Sequence, residues 1–338
     1  MGENFRSMTH PSLLSFHSRH MSRRSVLRAC ALAVGSITLP QLAGTNALAA
    51  DPSNSPSTAA AITQPPPIRS EMIAGKISLI AGAGGNIATL DGEDGVLVID
   101  SGLASVSAGT AAEIAKTAPG PISLLVNTHW HFDHAGGNER LARAGARIIA
   151  HENCRKRLAV DQHNDFFDKT WPASPAIALP VVTFSTETQI HLNGEDIRLV
   201  PVPPAHTDSD VLVRFEKANV VHAGDIFFRG MFPFIDYSSL GWIGGMAAAA
   251  KQALALTDAS TRVIPGHGPL GTQDDLKSYI AFLDTVHERL AKLKDAGKSV
   301  DEAVAALPTR GFDEERAAGL FKPEQFVRFA YTGLLKHG

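Results

Sequence analysis

The segment Thr128–His134 reads Thr-His-Trp-His-Phe-Asp-His and directly follows an apolar run, Ile122–Asn127. The run predicts a strand that is buried on both faces, because it carries almost no polar position. In extended backbone, residues two apart point the same way, so His129 and His131 can reach one metal ion together. The segment therefore predicts a metal site at the end of a buried strand.

The same segment supplies two further ligand types as the chain turns out of the strand. Asp133 and His134 follow there and can reach a second point close to the first. Imidazole and carboxylate groups suit zinc and related divalent metals. With 14 histidines among 338 residues, such a string would rarely arise by chance, which favours a binding role over incidental turn residues.

Three more polar residues each end a strand-like apolar run in a tight turn rich in Gly or Pro. They are His206 after Ile197–Val202, Asp225 after Asn219–His222, and His267 after Arg262–Pro265. Turns at strand ends are where a rigid sheet presents site residues. Each residue alone is a weak signal, but together they supply the ligands that the first segment lacks.

Strand and helix patterns alternate along the chain, with hairpins between some of the strands. This order favours mixed sheets with helices outside over a purely parallel sheet. Further strands are predicted at Lys76–Ala81, Asn86–Leu90, Gly95–Asp100, Ala146–Ala150, Gln189–Leu192 and Val211–Phe215, and helices at Ser107–Lys116, Leu141–Ala144, Met246–Leu256 and Asp275–Asp295.

The N-terminal region has the composition of an export signal. Twin arginines, Arg23-Arg24, precede a short apolar stretch, Ala29–Leu42, and an Ala-x-Ala site at Ala47–Ala49. This order matches a twin-arginine signal, which predicts a periplasmic protein. The stretch is shorter than the roughly 20 residues that span a bilayer. A disordered basic tail and a later translation start remain alternatives.

The predicted organisation is an N-terminal extension and signal at 1–49, a flexible linker at 50–70 and a folded domain at 71–338 with a C-terminal helical segment. The formal net charge of -3 gives no basic surface for nucleic acid, and we expect no stable membrane anchoring. The two cysteines, Cys30 and Cys154, are too few to form a disulfide framework.

A His-x-His-x-Asp-His string followed by a lone His, an Asp and a final His resembles the metallo-β-lactamase superfamily. The resemblance covers about residues 71–271. It implies a four-layer αβ/βα sandwich, an α/β fold of two mixed β-sheets with helices on the outer faces. It also implies a two-metal site, with one ion bound by His129, His131 and His206, a second by Asp133, His134 and His267, and Asp225 bridging both.

Two positions separate this chain from known branches of that family. The best-known antibiotic-degrading branch carries Cys where Asp225 stands and Lys where Phe228 stands, so the carboxylate anchor of that branch is missing. The Asp resembles glyoxalase II-like thioesterases and lactonases, although lactonases often carry Tyr at the position of Phe228. The flavo-diiron branch replaces the second His by Glu, whereas this chain keeps His131.

The expected function is that of a zinc hydrolase with two divalent metal ions per chain. A metal-bridging hydroxide would cleave an ester, thioester, lactone or amide/lactam bond of a small molecule, and Asp133 is both a ligand and a candidate proton relay. Alternatives are a β-lactamase, a mononuclear iron persulfide dioxygenase and a periplasmic metal- or ligand-binding accessory protein. The sequence leaves the oligomeric state open.

Aromatic residues near these motifs are candidates either for an apolar pocket wall or for core packing. Arg229 is the one cation near these motifs that could meet an anionic substrate, or it is an ordinary surface arginine. The aromatic set is Trp130, Phe132, Phe227, Phe228, Phe232, Phe234, Tyr237 and Trp242.

Overall fold

The structure is a computed structural model and describes residues 67–338. The predicted signal and most of the predicted linker lie outside that range. The first strand begins at Arg69, slightly before the predicted domain start at Glu71. No helix between residues 67 and 338 has both the length and the apolar character needed to cross a bilayer.

Strands fall into two large sheets and one small hairpin. Within residues 67–338 they are β1 (Arg69–Ala74), β2 (Ile77–Ala81), β3 (Ile87–Leu90), β4 (Val96–Ile99), β5 (Ile122–Asn127), β6 (Arg147–His151), β7 (Gln162–Asn164), β8 (Lys169–Trp171), β9 (Val182–Phe184), β10 (Thr188–Leu192), β11 (Glu195–Pro201), β12 (Val211–Phe215), β13 (Val220–His222), β14 (Arg262–Ile264) and β15 (Gly271–Thr272).

The helices of the same residues lie between and after these strands. They are α1 (Ser107–Thr117), α2 (Phe132–Ala135), α3 (Asn138–Arg143), α4 (Glu152–Leu158), α5 (Ile243–Ala255), α6 (Gln273–Asp295), α7 (Val300–Ala305) and α8 (Pro323–His337).

Both large sheets are mixed, as the sequence predicted. The first has the order β1-β2-β3-β4-β5-β6-β9, antiparallel from β1 to β4 and parallel from β4 to β9. The second runs β10-β11-β12-β13-β14-β15, and its β13–β14 pair is parallel. Hairpin β7–β8 stands apart from both sheets.

The two sheets pack face to face over a shared apolar core. Alternation along β11 places Ile197 and Leu199 on the inner face, where they join Leu97 and Val126 of the first sheet. Each such fully buried side chain stabilises the fold by roughly 1.5–3 kcal/mol. Helices α1 and α3 cover the outer face of the first sheet, and α5, α6 and α8 cover that of the second. The predicted four-layer αβ/βα sandwich is confirmed.

Local signals set the limits of the long helix α6. The Thr272 hydroxyl accepts from the Asp275 N–H, and the Asp275 carboxylate accepts from the Thr272 N–H. This reciprocal cap satisfies two backbone donors and starts the helix at Gln273, ahead of the predicted start at Asp275. The turn Asn193-Gly194, with positive φ at both residues, closes the β10–β11 hairpin as expected for a two-residue loop.

Candidate metal centre

All seven residues predicted as ligands lie together at one end of the strands. The segment after β5, a turn followed by α2, carries four of them, and the segments after β11, β13 and β14 carry one each. They form two groups, and in each group the donor atoms lie within 4.8 Å of one another. The first group is His129, His131, His206 and Asp225, and the second is Asp133, His134 and His267.

Asp225 lies between the two groups and presents one carboxylate oxygen to each. Its Oδ2 is 3.3 Å from Nε2 of His206 in the first group. Its Oδ1 is 3.0 Å from Nε2 of His134 and 3.5 Å from Nε2 of His267 in the second. This is the placement that a carboxylate bridging two ions requires.

Hydrogen bonds at the far side of each ring fix which nitrogen faces the centre. Nδ1 of His206 lies 2.8 Å from the carbonyl oxygen of Phe234, which can only accept, so Nδ1 donates and Nε2 faces inward. Nε2 of His131 lies 3.0 Å from Oδ2 of Asp236, so its Nδ1 faces inward. Such outer contacts orient metal-binding imidazoles and raise their basicity.

Asp100 performs the same role for the second group. Its Oδ2 lies 2.8 Å from Nδ1 of His134 and accepts from the Thr128 hydroxyl at 2.7 Å, and its Oδ1 accepts from the Thr128 N–H at 2.8 Å. The Thr128 hydroxyl also lies 3.0 Å from Nδ1 of His129. Asp100 adopts φ of 64°, a conformation that a short Asp side chain tolerates better than most residues.

The donor atoms leave a place that a cation fits. Nε2 of His206 and Nδ1 of His131 are 2.8 Å apart, and both carry lone pairs because the other nitrogen of each ring donates outward. Nε2 of His129 and Oδ1 of Asp225 are buried without a hydrogen-bond partner. Buried polar atoms are rarely left unsatisfied, so this arrangement calls for a shared positive charge. The nitrogen and oxygen donors suit zinc.

The pKa values of the two groups differ in direction. Burial lowers the pKa of His129 well below its usual value and that of His206 to about 4, so both rings are neutral and able to bind metal near pH 7. Burial also opposes a charge on His267, but Asp225 and Asp133 outweigh it and raise that pKa to about 9. The second group therefore lies in a negative field that attracts cations.

Gly266 allows the His267 loop to approach the bridging carboxylate. A Cβ at this position would overlap Oδ1 of Asp225 and crowd the backbone of Gly224. The Gly266 N–H donates to the Gly224 carbonyl oxygen at 2.7 Å, which joins the two loops. Any larger residue would separate Asp225 from His267.

Several other polar residues near the motifs do not contact the centre through their side chains. The Asp210 carboxylate accepts from the backbone N–H groups of His206 and Thr207 at 2.8 and 2.9 Å and so shapes their loop. Asp208 pairs with Arg157. Arg229 donates to the Leu270 carbonyl oxygen and pairs with Asp275, so it does not reach the centre as a substrate anchor.

An apolar cleft of about 180 Å³ opens beside the two groups. An enclosed apolar space of roughly 150 Å³ accommodates a benzene ring, so the cleft takes a group of about that size. Five of the predicted aromatic residues line it, whereas Phe227, Tyr237 and Trp242 pack elsewhere. The aromatic lining is Trp130, Phe132, Phe167, Trp171, Phe228, Phe232, Phe234 and Phe321.

Sequence reasoning missed the cleft residues that come from distant segments. Phe167 and Trp171 belong to the β7–β8 hairpin, whose three-residue strands are too short to show a period. Phe321 precedes α8 and stacks on Phe234 with ring centroids 5.5 Å apart. Sequence reasoning also missed Asp236. This lone carboxylate directly follows the apolar run Met231–Ile235, which was a usable signal.

Asp236→Asn is expected to weaken metal binding about 10- to 100-fold, because outer-sphere partners of ligating histidines typically have effects of that size. Asp236 Oδ2 also accepts from the Ser239 hydroxyl at 2.6 Å, and Oδ1 accepts from Nδ2 of Asn164 at 2.9 Å, so an amide, which has a single acceptor oxygen, cannot replace both carboxylate oxygens. Competition with a chromogenic chelator measures the affinity. Asp301→Asn, at an exposed carboxylate, is the matched control. Equal affinities for both variants would show that Asp236 does not support the centre.

Comparisons with known proteins agree with this geometry. The family model described as the metallo-β-lactamase superfamily matches residues 81–281. A hydroxyacylglutathione hydrolase from Nitrosococcus oceani is 28% identical over 148 residues, 43% of this chain and 48% of that protein. One from Rhodospirillum rubrum is 26% identical over 62% of this chain and 69% of its own length. The chain thus spans about half the length of the first of these relatives.

Solved structures share the fold at low sequence identity. A metallo-β-lactamase from Pontibacter korlensis is 19% identical with a TM-score of 0.53, covering 64% of this chain and 99% of that one. A B3 metallo-β-lactamase with an active-site glutamic acid is 22% identical with a TM-score of 0.54, covering 67% and 91%.

Fold, site and family match together define the class. The chain belongs to the metallo-β-lactamase superfamily. Its similarity to hydroxyacylglutathione hydrolases is at low identity and extends over part of their length.

Proposed function

We propose that this protein is a zinc-dependent hydrolase that cleaves an ester, thioester or lactone bond in a small, uncharged, partly apolar molecule. The observation that carries the proposal is the meeting of seven inward-facing donor residues beside an apolar cleft. The hydrolase relatives support the reaction type.

Two divalent ions, held by the two groups of residues, would supply Lewis acidity and lower the pKa of a bound water toward about 7. The chain contributes the orientation of the donors, through Asp100, Asp236 and the Phe234 carbonyl oxygen. The side chain of Asp133 is about 20% exposed and faces the cleft, which suits it to pass a proton to a leaving group. The aromatic walls would contact the apolar part of the substrate.

The composition of the cleft supports an uncharged substrate. Among the described residues that line it there is no lysine or arginine, and its charged or titratable side chains are those of the centre itself. Phe228 lines the cleft where the best-known antibiotic-degrading branch of the family carries a lysine, and its ring stacks on His267 with centroids 5.2 Å apart. A charge-assisted contact of about 1.5–3 kcal/mol is therefore missing for an anionic lactam.

We expect kcat/KM for an acyl lactone or aryl thioester to exceed that for a carbapenem or penicillin by about 10- to 100-fold, the value of the missing contact. Steady-state rates of the zinc-loaded mature protein measure this ratio. A lactam value of about 10⁶ M⁻¹s⁻¹ or more would overturn the ranking.

A matched pair of variants isolates the role of the cleft in the same assay. Trp171 stacks on Phe132 with ring centroids 5.0 Å apart, and Trp171→Ala should raise KM most for substrates with an aryl or long acyl group. Val181→Ala changes an exposed side chain outside the cleft and should leave KM unchanged. An unchanged KM in both variants would mean that the aryl or acyl group of the substrate does not bind in this cleft.

We also propose that the protein acts in the periplasm after twin-arginine export, which rests on Arg23-Arg24 and the apolar stretch that follows. Changing both arginines to lysine should leave the precursor in the cytoplasm, as fractionation would show. Continued export of that variant would point to another route.

A further inference from the structure

A second polar cavity lies behind the cleft, next to a buried arginine. Arg316 ends a short helical turn, Glu314–Arg316, and is only 5% exposed. Its guanidinium carbon lies 3.9 Å from the ring centroid of Phe282 and 5.7 Å from that of Tyr279. Its Nε has no hydrogen-bond partner, and no carboxylate of residues 67–338 forms an ion pair with the side chain.

An arginine in this position carries a charge that it cannot lose. A guanidinium stays protonated in proteins, so proton release does not relieve the cost of burial. Contacts with aromatic faces offset part of that cost, but a buried charge is ordinarily also paired with an opposite charge. Arg316 therefore lacks a counter-charge.

The neighbouring hydroxyl shows the same deficit. Tyr279 is 1% exposed, and its buried hydroxyl has no acceptor, because the nearest backbone partner, the N–H of Phe228, can only donate to it. Both side chains line a cavity of about 120 Å³, together with Ser278 and the loop Phe228–Gly230. Two acids, Asp275 and Glu315, also line the cavity. Asp275 pairs with Arg229 and accepts from Thr272, and Glu315 is exposed to solvent, so neither forms an ion pair with Arg316.

We infer that this cavity binds a small monovalent anion, a halide or a carboxylate, between the guanidinium of Arg316 and the hydroxyl of Tyr279. The anion would neutralise the buried charge and accept from both donors. The site is separate from the proposed metal centre, because the ring of Phe228 lies between the cavity and His267. An anion there would hold the Glu314–Arg316 turn against α6 and fix the loop that forms one wall of the cleft.

Thermal unfolding of the full, metal-loaded protein tests the site without reference to activity. Sodium chloride or sodium acetate is exchanged for gluconate, a much bulkier anion, at constant ionic strength. At ten times the Kd, binding to the native state should raise the Tm by roughly 3 °C. The chloride and acetate arms distinguish a halide site from a carboxylate site.

Variants assign the shift to this cavity. Arg316→Met should abolish the shift, and its Tm in gluconate should be at least that of the wild type because the unpaired charge is gone. Tyr279→Phe should reduce the shift. Arg310→Met, at an exposed arginine of the same region, should keep it. Anions that bind at the metal centre would shift the Tm equally in all three variants. The shift that remains in Arg316→Met is therefore subtracted from the shift of the wild type.

Two results would overturn the inference. One is an equal shift in the wild type and Arg316→Met, or no shift in the wild type. The other result combines two observations: in gluconate Glu315→Gln has a lower Tm than the wild type, and the Tm of Glu315→Gln does not respond to chloride or acetate. That result would make Glu315 the counter-charge of Arg316. If Arg316→Met does not fold, crystals of the wild type grown in sodium bromide decide the matter. An anomalous peak beside Arg316, or acetate bound there in crystals grown in sodium acetate, supports the site, and the absence of both contradicts it.

Discussion

Replacement of His131 by alanine is expected to lower kcat/KM by at least ~10³-fold while leaving the far-UV circular dichroism spectrum unchanged. The variant removes an inward-facing nitrogen of the first group and leaves His206 and Asp236 without their partner. The fold should persist, because the core between the sheets contains no residue of the centre. Kinetics and circular dichroism on the same preparation measure both effects.

His191→Ala is the control for that variant. His191 is a mostly exposed histidine on the edge strand β10, where it pairs with Asp196. Its loss should leave both kcat/KM and the spectrum unchanged. If His131→Ala were unfolded, the centre would be structural rather than catalytic, and the proposed function would lose its main support.

Removal of metal is expected to abolish hydrolysis, and about two equivalents of Zn²⁺ per chain should restore it. The prediction rests on two groups of donors and on Asp225, which presents one oxygen to each. Dialysis against a chelator, elemental analysis and stepwise zinc addition measure the stoichiometry. Metal that binds only the native state should also raise the Tm on reloading.

One bound iron and no zinc in protein purified without chelator would contradict this prediction. It would favour the persulfide dioxygenase alternative over hydrolysis. If a single equivalent of zinc restored hydrolysis, Asp225 would not bridge two ions, and activity would not require an ion at the second group.

The sequence was most informative where burial alone determines the pattern. Strands β5 and β12 match their predicted limits, because an apolar run bounded by polar turns has few other ways to fold. Strands β7 and β8 have three residues each and are mostly polar, so neither shows the apolar residues that revealed the equally short β13 and β14. Helix α7 has six residues, which is less than two turns and too short to show a helical period. Tertiary contacts rather than local preference define such short elements.

The seven ligand-type residues were found because each follows a strand and is chemically distinctive. The residues that surround the seven ligands were not found, because the contacts of Asp236 with His131 and of Phe321 with Phe234 join residues far apart in the chain. Arg229 shows the reverse problem, since proximity in sequence to Asp225 suggested a role that its pairing with Asp275 removes. The sequence shows which residues are close along the chain, but not where their side chains point.

The three hydrogen bonds of the Asp100 carboxylate also bear on the order in which the protein is assembled. They join the end of β4 to the loop after β5 through protein atoms alone, so the loop that carries His129 and His134 acquires its shape when the sheet forms. A metal ion would then enter a cavity whose shape the protein already provides. The rate of its entry would depend on passage through the mouth of the cleft beside Phe132, and chains that fold in a metal-poor compartment would remain competent to be loaded afterwards.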